Sequence, residues 1–374
     1  MNINNIREQF PYLKNNTIYF NHASTGPIPK ITVEAVKKYL YEKSDGSIDF
    51  YQETLNKVKE TRYLLAELLN TAPDRIAFID NVSNAMNLLA QGLQWKTDDE
   101  VILFDIEFPA NVYPFLNLKQ YGVNVKILKT NNWKIFVEDL FNAVTNKTKL
   151  ISLSHVQFLT GQKLDLKLIG EFCRNKGIIF SVDAIQSLGV SKIDVEDMKI
   201  DFLASGIQKW LLGLEGTTII YVSEDLQNKL NPKYIGWLSV KNAWNLLDYK
   251  LILDDTARRF ENGTLNYAGI ISLNSNLNFF KSIGFDSIQD KIAENSNYLI
   301  ERLLELGYEL LFTPNDTSEL AGIITIKSEN STKLFEHLKQ QNIICSLREG
   351  FIRFSPHFYN THGEIDKLID VLES

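Results

Sequence analysis

The chain has little of what several broad protein classes depend on. Its two cysteines, Cys173 and Cys345, are too few and too far apart in sequence for a disulfide framework or a zinc site, which fits a reducing compartment such as the cytoplasm. No stretch approaches the roughly 18 apolar residues of a membrane-spanning helix. The amino terminus, MNINNIREQFPYLK, lacks the apolar core of a signal peptide. Positive charge is in deficit: 39 lysines and arginines against 46 aspartates and glutamates leave a net charge of -7. That gives no electrostatic footing for nucleic acid or an anionic membrane. A Gly-x-Gly-x-x-Gly run after a strand is also missing, which argues against a dinucleotide-binding oxidoreductase. What remains is a soluble, cytoplasmic protein with a small-molecule partner and no expected metal.

What is present is ordinary globular material. Hydrophobic residues at 44% and charged residues at 23% suffice for a sizeable core, and 374 residues predict a large domain with a smaller companion. Apolar runs predict strands at 17–20, 75–79, 100–105, 123–128, 149–154, 178–182, 202–205 and 217–222. Helical spacing predicts helices at 30–44, 51–70, 136–145 and 166–176, with another opening at Ser83 and Asn84. Such alternation predicts a mostly parallel sheet with helices on both faces. Residues 223–255 are irregular. A helical region at 266–306 then leads to an α+β unit, with strands at 321–327, 343–346 and 351–354 and helices at 331–341 and from 363.

The most informative stretch is 177–213. One buried strand delivers Asp183 at its carboxyl end and a second delivers Lys209 just past its end, where open α/β sheets bind their ligands. With Gln186 three residues after the aspartate, this constellation suits pyridoxal 5'-phosphate (PLP). The lysine would carry PLP as a Schiff base and the aspartate would face the pyridine nitrogen. Keeping that nitrogen protonated by two pKa units takes about 2.7 kcal/mol, within the roughly 1.5 to 3 kcal/mol of one charge-assisted hydrogen bond. Trp210, Leu211 and Leu212 would desolvate Lys209 and lower its pKa. Taken singly, each residue has a plain structural reading, as a helix cap or a surface lysine.

Together they resemble the cofactor signature of the class V aminotransferase family. These are fold type I PLP enzymes that include cysteine desulfurases, selenocysteine lyases, isopenicillin-N epimerase-like proteins and kynureninases. The resemblance implies a mostly parallel seven-stranded sheet flanked by helices. It also implies a large PLP-binding domain at 15–255, a smaller α+β domain built from 1–14 and 256–374, and a homodimer. It places phosphate-binding residues at Ser83 and Asn84, and a ring-stacking residue at Phe108, where the desulfurases carry a proton-relaying histidine. Gln208 stands where a histidine usually precedes the lysine, and Gly206 where a phosphate-binding serine or threonine is common. The segment Arg259-Phe260-Glu261-Asn262-Gly263-Thr264 resembles one whose Gly263 and Thr264 positions reach a neighbouring subunit's phosphate. In the terminal motif from Ile352 to Thr361, the arginine at Arg353 grips the substrate α-carboxylate, a task suited to a planar bidentate donor. Arg348, expected in a turn, would assist. His22 lies in a loop bordering the substrate pocket and is either a contact or a hydrogen-bonded structural histidine. Gln157 and Thr160 are candidate substrate or cofactor contacts.

The expected function is PLP chemistry at the α-carbon of a small amino acid: transamination, epimerisation or β-elimination. One alternative is a cysteine desulfurase or selenocysteine lyase-type C-S lyase. It needs a nucleophilic cysteine shortly before the arginine, and the only cysteine there, Cys345, falls in an apolar run. A second alternative is a PLP-binding protein without turnover. The constellation predicts that borohydride reduction of the PLP-incubated protein fixes a pyridoxyl group on Lys209. Peptide mapping checks this, and a label on any other residue would contradict it.

Overall fold

Strands covered on both faces read as continuous apolar runs, and runs of this kind form the interior of a seven-stranded central sheet. The computed structural model describes residues 3–316, 319 and 321–373. In chain order the strands are β1 (Ile18–Tyr19), β2 (Ile76–Ile79), β3 (Glu100–Phe104), β4 (Asn124–Leu128), β5 (Thr148–Ser154), β6 (Ile179–Asp183), β7 (Phe202–Gly206), β8 (Thr218–Val222), β9 (Ile324–Ile326), β10 (Ile343–Ile344), β11 (Ser346–Arg348) and β12 (Phe351–Phe354). The central sheet runs β2-β8-β7-β6-β5-β3-β4. Only β8 runs against its neighbours, so the sheet is mostly parallel, as the alternation predicts. β3, β6, β7 and β8 are buried along their whole length, because helices cover both faces.

The sheet brings the carboxyl ends of β6 and β7 side by side, with Asp183 opposite Ala204 in register. The helix Leu166–Lys176, which feeds β6, is capped by Asp165, whose carboxylate accepts the Leu168 N-H at 3.0 Å. The helix Val82–Gly92 after β2 is capped by Asn81, which accepts the Asn84 N-H at 2.8 Å. Both caps satisfy donors that the first helical turn leaves unpaired.

The edge strand β2 is closed by a side chain. The buried Glu261 carboxylate accepts the Phe78 N-H at 2.8 Å and pairs with Arg62, which also donates to the Ile76 carbonyl at 2.5 Å. One backbone donor and one backbone acceptor on the free side of the edge strand are thereby satisfied.

The carboxy-terminal unit packs β11-β12-β9 as an antiparallel sheet, while β1 pairs in parallel with β10. Ile18, Phe20, Ile326, Ile352 and Phe354 share its core. Two details differ from the sequence reading. The strand expected at 343–346 is split: its first half pairs with β1 and its second half with β12, with Cys345 buried between them. Arg348 therefore ends a strand instead of sitting in a turn; the reversal falls to Glu349 (φ 48°) and Gly350 (φ 83°), the left-handed pair that a tight hairpin needs. The helical region at 266–306 is interrupted at Gly284 (φ 97°), giving the helices Tyr267–Ile283 and Phe285–Glu305. Among the described residues no helix is long and apolar enough to cross a membrane.

Replacing Glu261 by alanine would strand the Arg62 guanidinium in the core and reopen Phe78. The expected cost is about 3 to 5 kcal/mol, the usual penalty for breaking a buried pair from one side. Urea denaturation measures it, and a loss below about 1 kcal/mol would show that water replaces the carboxylate without penalty.

Candidate active site

Burial governs the chemistry at the ends of β6 and β7. Asp183 is 2% exposed. Its Oδ1 accepts the Ile185 N-H at 2.9 Å, and among the described residues no other donor meets the carboxylate. Desolvation raises its pKa to about 6, with the Glu107 carboxylate adding to the rise and the Ile185 bond and Lys209 opposing it. Lys209 is driven the other way. Burial lowers its pKa to about 8, Arg353 and Arg348 lower it further, and Asp183 holds it up. Burial pushes each group toward its neutral form, and each opposes that push on the other.

The walls are aromatic and cationic. The Lys209 Nζ lies 5.7 Å from the centre of the Phe108 ring, which meets Phe158 edge to face at 5.4 Å. Arg353, on β12, is 2% exposed. Its Nη1 donates to the Phe158 carbonyl at 2.5 Å and its Nη2 to the Ser24 hydroxyl at 2.9 Å. Among the described residues its Nε has no hydrogen-bond partner. Burial lowers its pKa to about 9, and repulsion from Arg348 adds to the shift. Arg348 reaches the same Ser24 hydroxyl at 3.4 Å. The loop carrying Ser24 is pressed against the lysine's backbone: Gly26 donates its N-H to the Gln208 carbonyl at 2.8 Å, and a Cβ at Gly26 would lie 2.3 Å from the Lys209 carbonyl.

A second layer holds this one in place. Gln186 donates to the Ala23 carbonyl at 3.0 Å and accepts the Trp210 indole N-H at 2.8 Å. Its amide thus ties the loop after β6 to the loop around Ser24 and to the residue after Lys209. His22 is fully buried, with Nδ1 on the Ser355 carbonyl at 2.8 Å and Nε2 on the Tyr359 hydroxyl at 2.6 Å. Desolvation lowers its pKa to about 3. Both ring nitrogens are occupied by the protein, so of its two sequence readings the geometry matches the structural histidine and leaves no nitrogen for a ligand. Gln157 donates to Glu107 at 2.9 Å and keeps a buried Oε1 without a partner. The Thr160 hydroxyl accepts the Gln162 N-H at 3.2 Å.

The other sequence-selected residues lie on the helix after β2, in the segment after Phe260 and next to Lys209 in the chain. Ser83 is exposed at the start of its helix, and the Asn84 amide donates to Asp80 at 2.6 Å. Asn84, Gly263 and Thr264 line one cavity of about 600 Å³ beside β2. Gln208 folds back over Gly206, where a Cβ would lie 2.5 Å from the Gln208 Oε1. The two departures from the family pattern are therefore spatially coupled: the glycine leaves room for the amide.

Two residues escaped the sequence reading. Glu107 is 6% exposed and accepts from Asn111 at 3.0 Å, from Gln157, and from the Ser154 N-H at 2.9 Å and hydroxyl at 2.5 Å. Ser24 joins the two arginines. An acid after a strand and a serine in a polar loop carry no signal until distant segments meet them.

The donor set fits PLP. A buried carboxylate with an oxygen to spare suits a protonated ring nitrogen, a lysine depressed to about pH 8 suits covalent attachment, and the orphaned Arg353 Nε suits an anionic ligand. Among the described residues no group of three or more His, Cys, Asp or Glu could hold a metal.

Comparison with known proteins agrees with this reading. The model described as Aminotransferase class-V matches residues 18–368. A probable cysteine desulfurase of Methanothermobacter thermautotrophicus is 30% identical over 403 residues, covering all of this chain and 98% of the relative. Two solved structures of C-DES are 26% identical. One is a lysine-to-alanine mutant with glycine covalently linked to its PLP cofactor, at a TM-score of 0.88 and with 98% of each chain covered. The other is the cystine C-S lyase in complex with its product cysteine persulfide, at a TM-score of 0.87, covering 97% of this chain and 99% of that one.

The apoprotein should capture PLP faster as pH rises toward about 8 and level off above it, because only the neutral amine of Lys209 attacks. Asp183→Asn removes the charge that holds the Lys209 pKa up, so the midpoint should move to lower pH. Stopped-flow absorbance between pH 6 and 10 measures both. A midpoint near an ordinary lysine's value of about 10.4 would contradict this account of the site.

Proposed function

Because this chain belongs to the aminotransferase class-V family of PLP-dependent enzymes, we propose that it is a lyase-type enzyme that cleaves the Cβ-S bond of a sulfur amino acid without using a thiol of its own. One observation carries the thiol-free part. Cys345 is 4% exposed in the carboxy-terminal core, and burial pushes its thiol up to about 12, whereas the thiolate is the nucleophile that a persulfide mechanism requires. The C-S lyase part is supported by the relatives, a probable cysteine desulfurase and a cystine C-S lyase.

In this reading Lys209 holds PLP and Asp183 faces its ring nitrogen. Ser83, Asn84 and the amides at the start of their helix, together with Gln208, receive the phosphate, and Phe108 covers the ring. When bound, the cofactor supplies the electron sink at the α-carbon. Arg353 takes the α-carboxylate, exchanging its neutral Ser24 partner for an anion. Lys209 Nζ removes the α-proton and returns a proton to the departing sulfur, since Phe108 can stack but cannot transfer one. The balance is an S-substituted cysteine plus water giving pyruvate, ammonium and a thiol. In the same reading the unit at 15–255 carries the cofactor, except that Ile18 and Phe20 pack in the core of the other unit, and the unit of 1–14 with 256–374 supplies the carboxylate anchor. The chain works as a homodimer whose Gly263 and Thr264 serve the neighbouring subunit. Support for that comes from the exposed Trp244, Leu246, Leu247 and Tyr249 in a segment whose Gly236 is pressed against the Asn262 carbonyl.

The test is turnover of cystine and of cysteine with and without a keto-acid acceptor. Acceptor-independent pyruvate and ammonium are expected, with Cys345→Ala within about twofold of the parent, since a small buried truncation costs stability more than chemistry. Strict acceptor dependence would instead identify a transaminase. A sulfur atom found on Cys345 by mass spectrometry, with activity abolished in the alanine variant, would restore the persulfide-forming desulfurase.

A further inference from the structure

Arg353 and Arg348 meet at one neutral oxygen, the hydroxyl of Ser24, at 2.9 and 3.4 Å. They come from the two strands of a tight hairpin, in which Ser346 faces Arg353 and Arg348 faces Phe351. Among the described residues neither forms an ion pair. Glu107, the buried acid that acts on Asp183, is committed to Ser154, Gln157 and Asn111. Lys209, Arg353 and Arg348 therefore share a cleft in which, among the described residues, Asp183 offsets Lys209 and no acid pairs with either arginine.

The cations are also ordered. Arg353 is nearly fully buried and perturbs Lys209 more strongly than Arg348 does, while Arg348 is exposed at the hairpin end. The inner arginine, orphaned at Nε, requires an anion once buried. Ser24 already stands in for one oxygen of that anion, and its reach keeps the outer guanidinium a short side chain away. A substrate with one carboxylate neutralises Arg353 and leaves Arg348 repelling it. A substrate with a second acid group neutralises both.

We infer that the cleft selects an amino acid whose β-substituent ends in a second anionic group, with Arg353 holding the α-carboxylate, Arg348 holding the distal anion, and Phe108 and Phe158 flanking the atoms between. Selection of this kind exceeds what apolar contacts give, because a charge-assisted bond lost from a prepared site leaves its partner unpaired. The inference rests on the reading that this cleft binds an amino acid through Arg353.

The experiment separates binding from turnover. Calorimetry on the PLP-loaded protein compares glutarate with its monoamide, two unreactive ligands that differ in one acid group. Turnover compares S-carboxymethylcysteine with S-carbamoylmethylcysteine, an acid and its neutral isostere. The acid of each pair is expected to be favoured by about ten- to a hundredfold, and Arg348→Gln to bring that acid-to-amide ratio close to one. Arg348→Lys should keep part of the preference, because it retains charge without the planar fork. Equal losses for acid and amide in Arg348→Gln would show that both arginines clamp one carboxylate, and would overturn the assignment. So would the absence of any preference in the parent protein. Pyruvate from either cysteine derivative is scored separately: its absence counts against the lyase reading, while the glutarate comparison still decides the role of Arg348.

Discussion

Burial drives Asp183 and Lys209 toward one another in pKa while their opposite charges resist it, and the rest of the site is arranged around that pair. Burial raises the carboxylate at the end of β6 and lowers the amine after β7, with the Ile185 N-H and Lys209 holding the acid down and Asp183 holding the amine up. Parallel pairing of β6 with β7 makes the partnership unavoidable, since their carboxyl ends must fall on the same edge of the sheet. The resulting pair sits poised, with the acid raised toward neutrality and the base lowered toward it. That is the state in which exchanging one partner for a charged cofactor changes both protonation equilibria.

Such poise needs a rigid surround, and the surround is polar as well as apolar. Gln186 ties three chain segments through one amide, and His22 joins the amino-terminal loop to Ser355 and Tyr359. Buried hydrogen bonds of this kind contribute little net stability each but make misplacement costly, because an orphaned group bears the full desolvation penalty. The carboxy-terminal hairpin reaches the same cleft from the opposite side. Its two arginines bring positive charge to a chain whose overall charge is negative, so the local field at the site opposes the field of the whole molecule and favours anionic small molecules.

The nearly complete correspondence of predicted and observed elements in the central sheet has a simple cause. Strands such as 202–205 and helices such as Leu166–Lys176 are written in local periodicity and in their flanking caps, and both are properties of a few adjacent residues. Misreadings cluster where pairing partners lie far away. The strand at 343–346 divides because its halves join different partners, β1 and β12, and no local pattern records which.

The sequence by itself determined the α/β alternation, the family, and the paired strand ends that present Asp183 and Lys209, because each follows from spacing within about thirty residues or from a motif that survives as a string. Arg353 was legible for the same reason. The tertiary structure alone decided that His22 spends both nitrogens inside the protein, that Glu107 is a buried acceptor, and that Ser24 lies between two arginines contributed by a segment more than three hundred residues away. Those assignments depend on which groups are desolvated together. Desolvation belongs to the assembled fold, and no stretch of chain carries it alone.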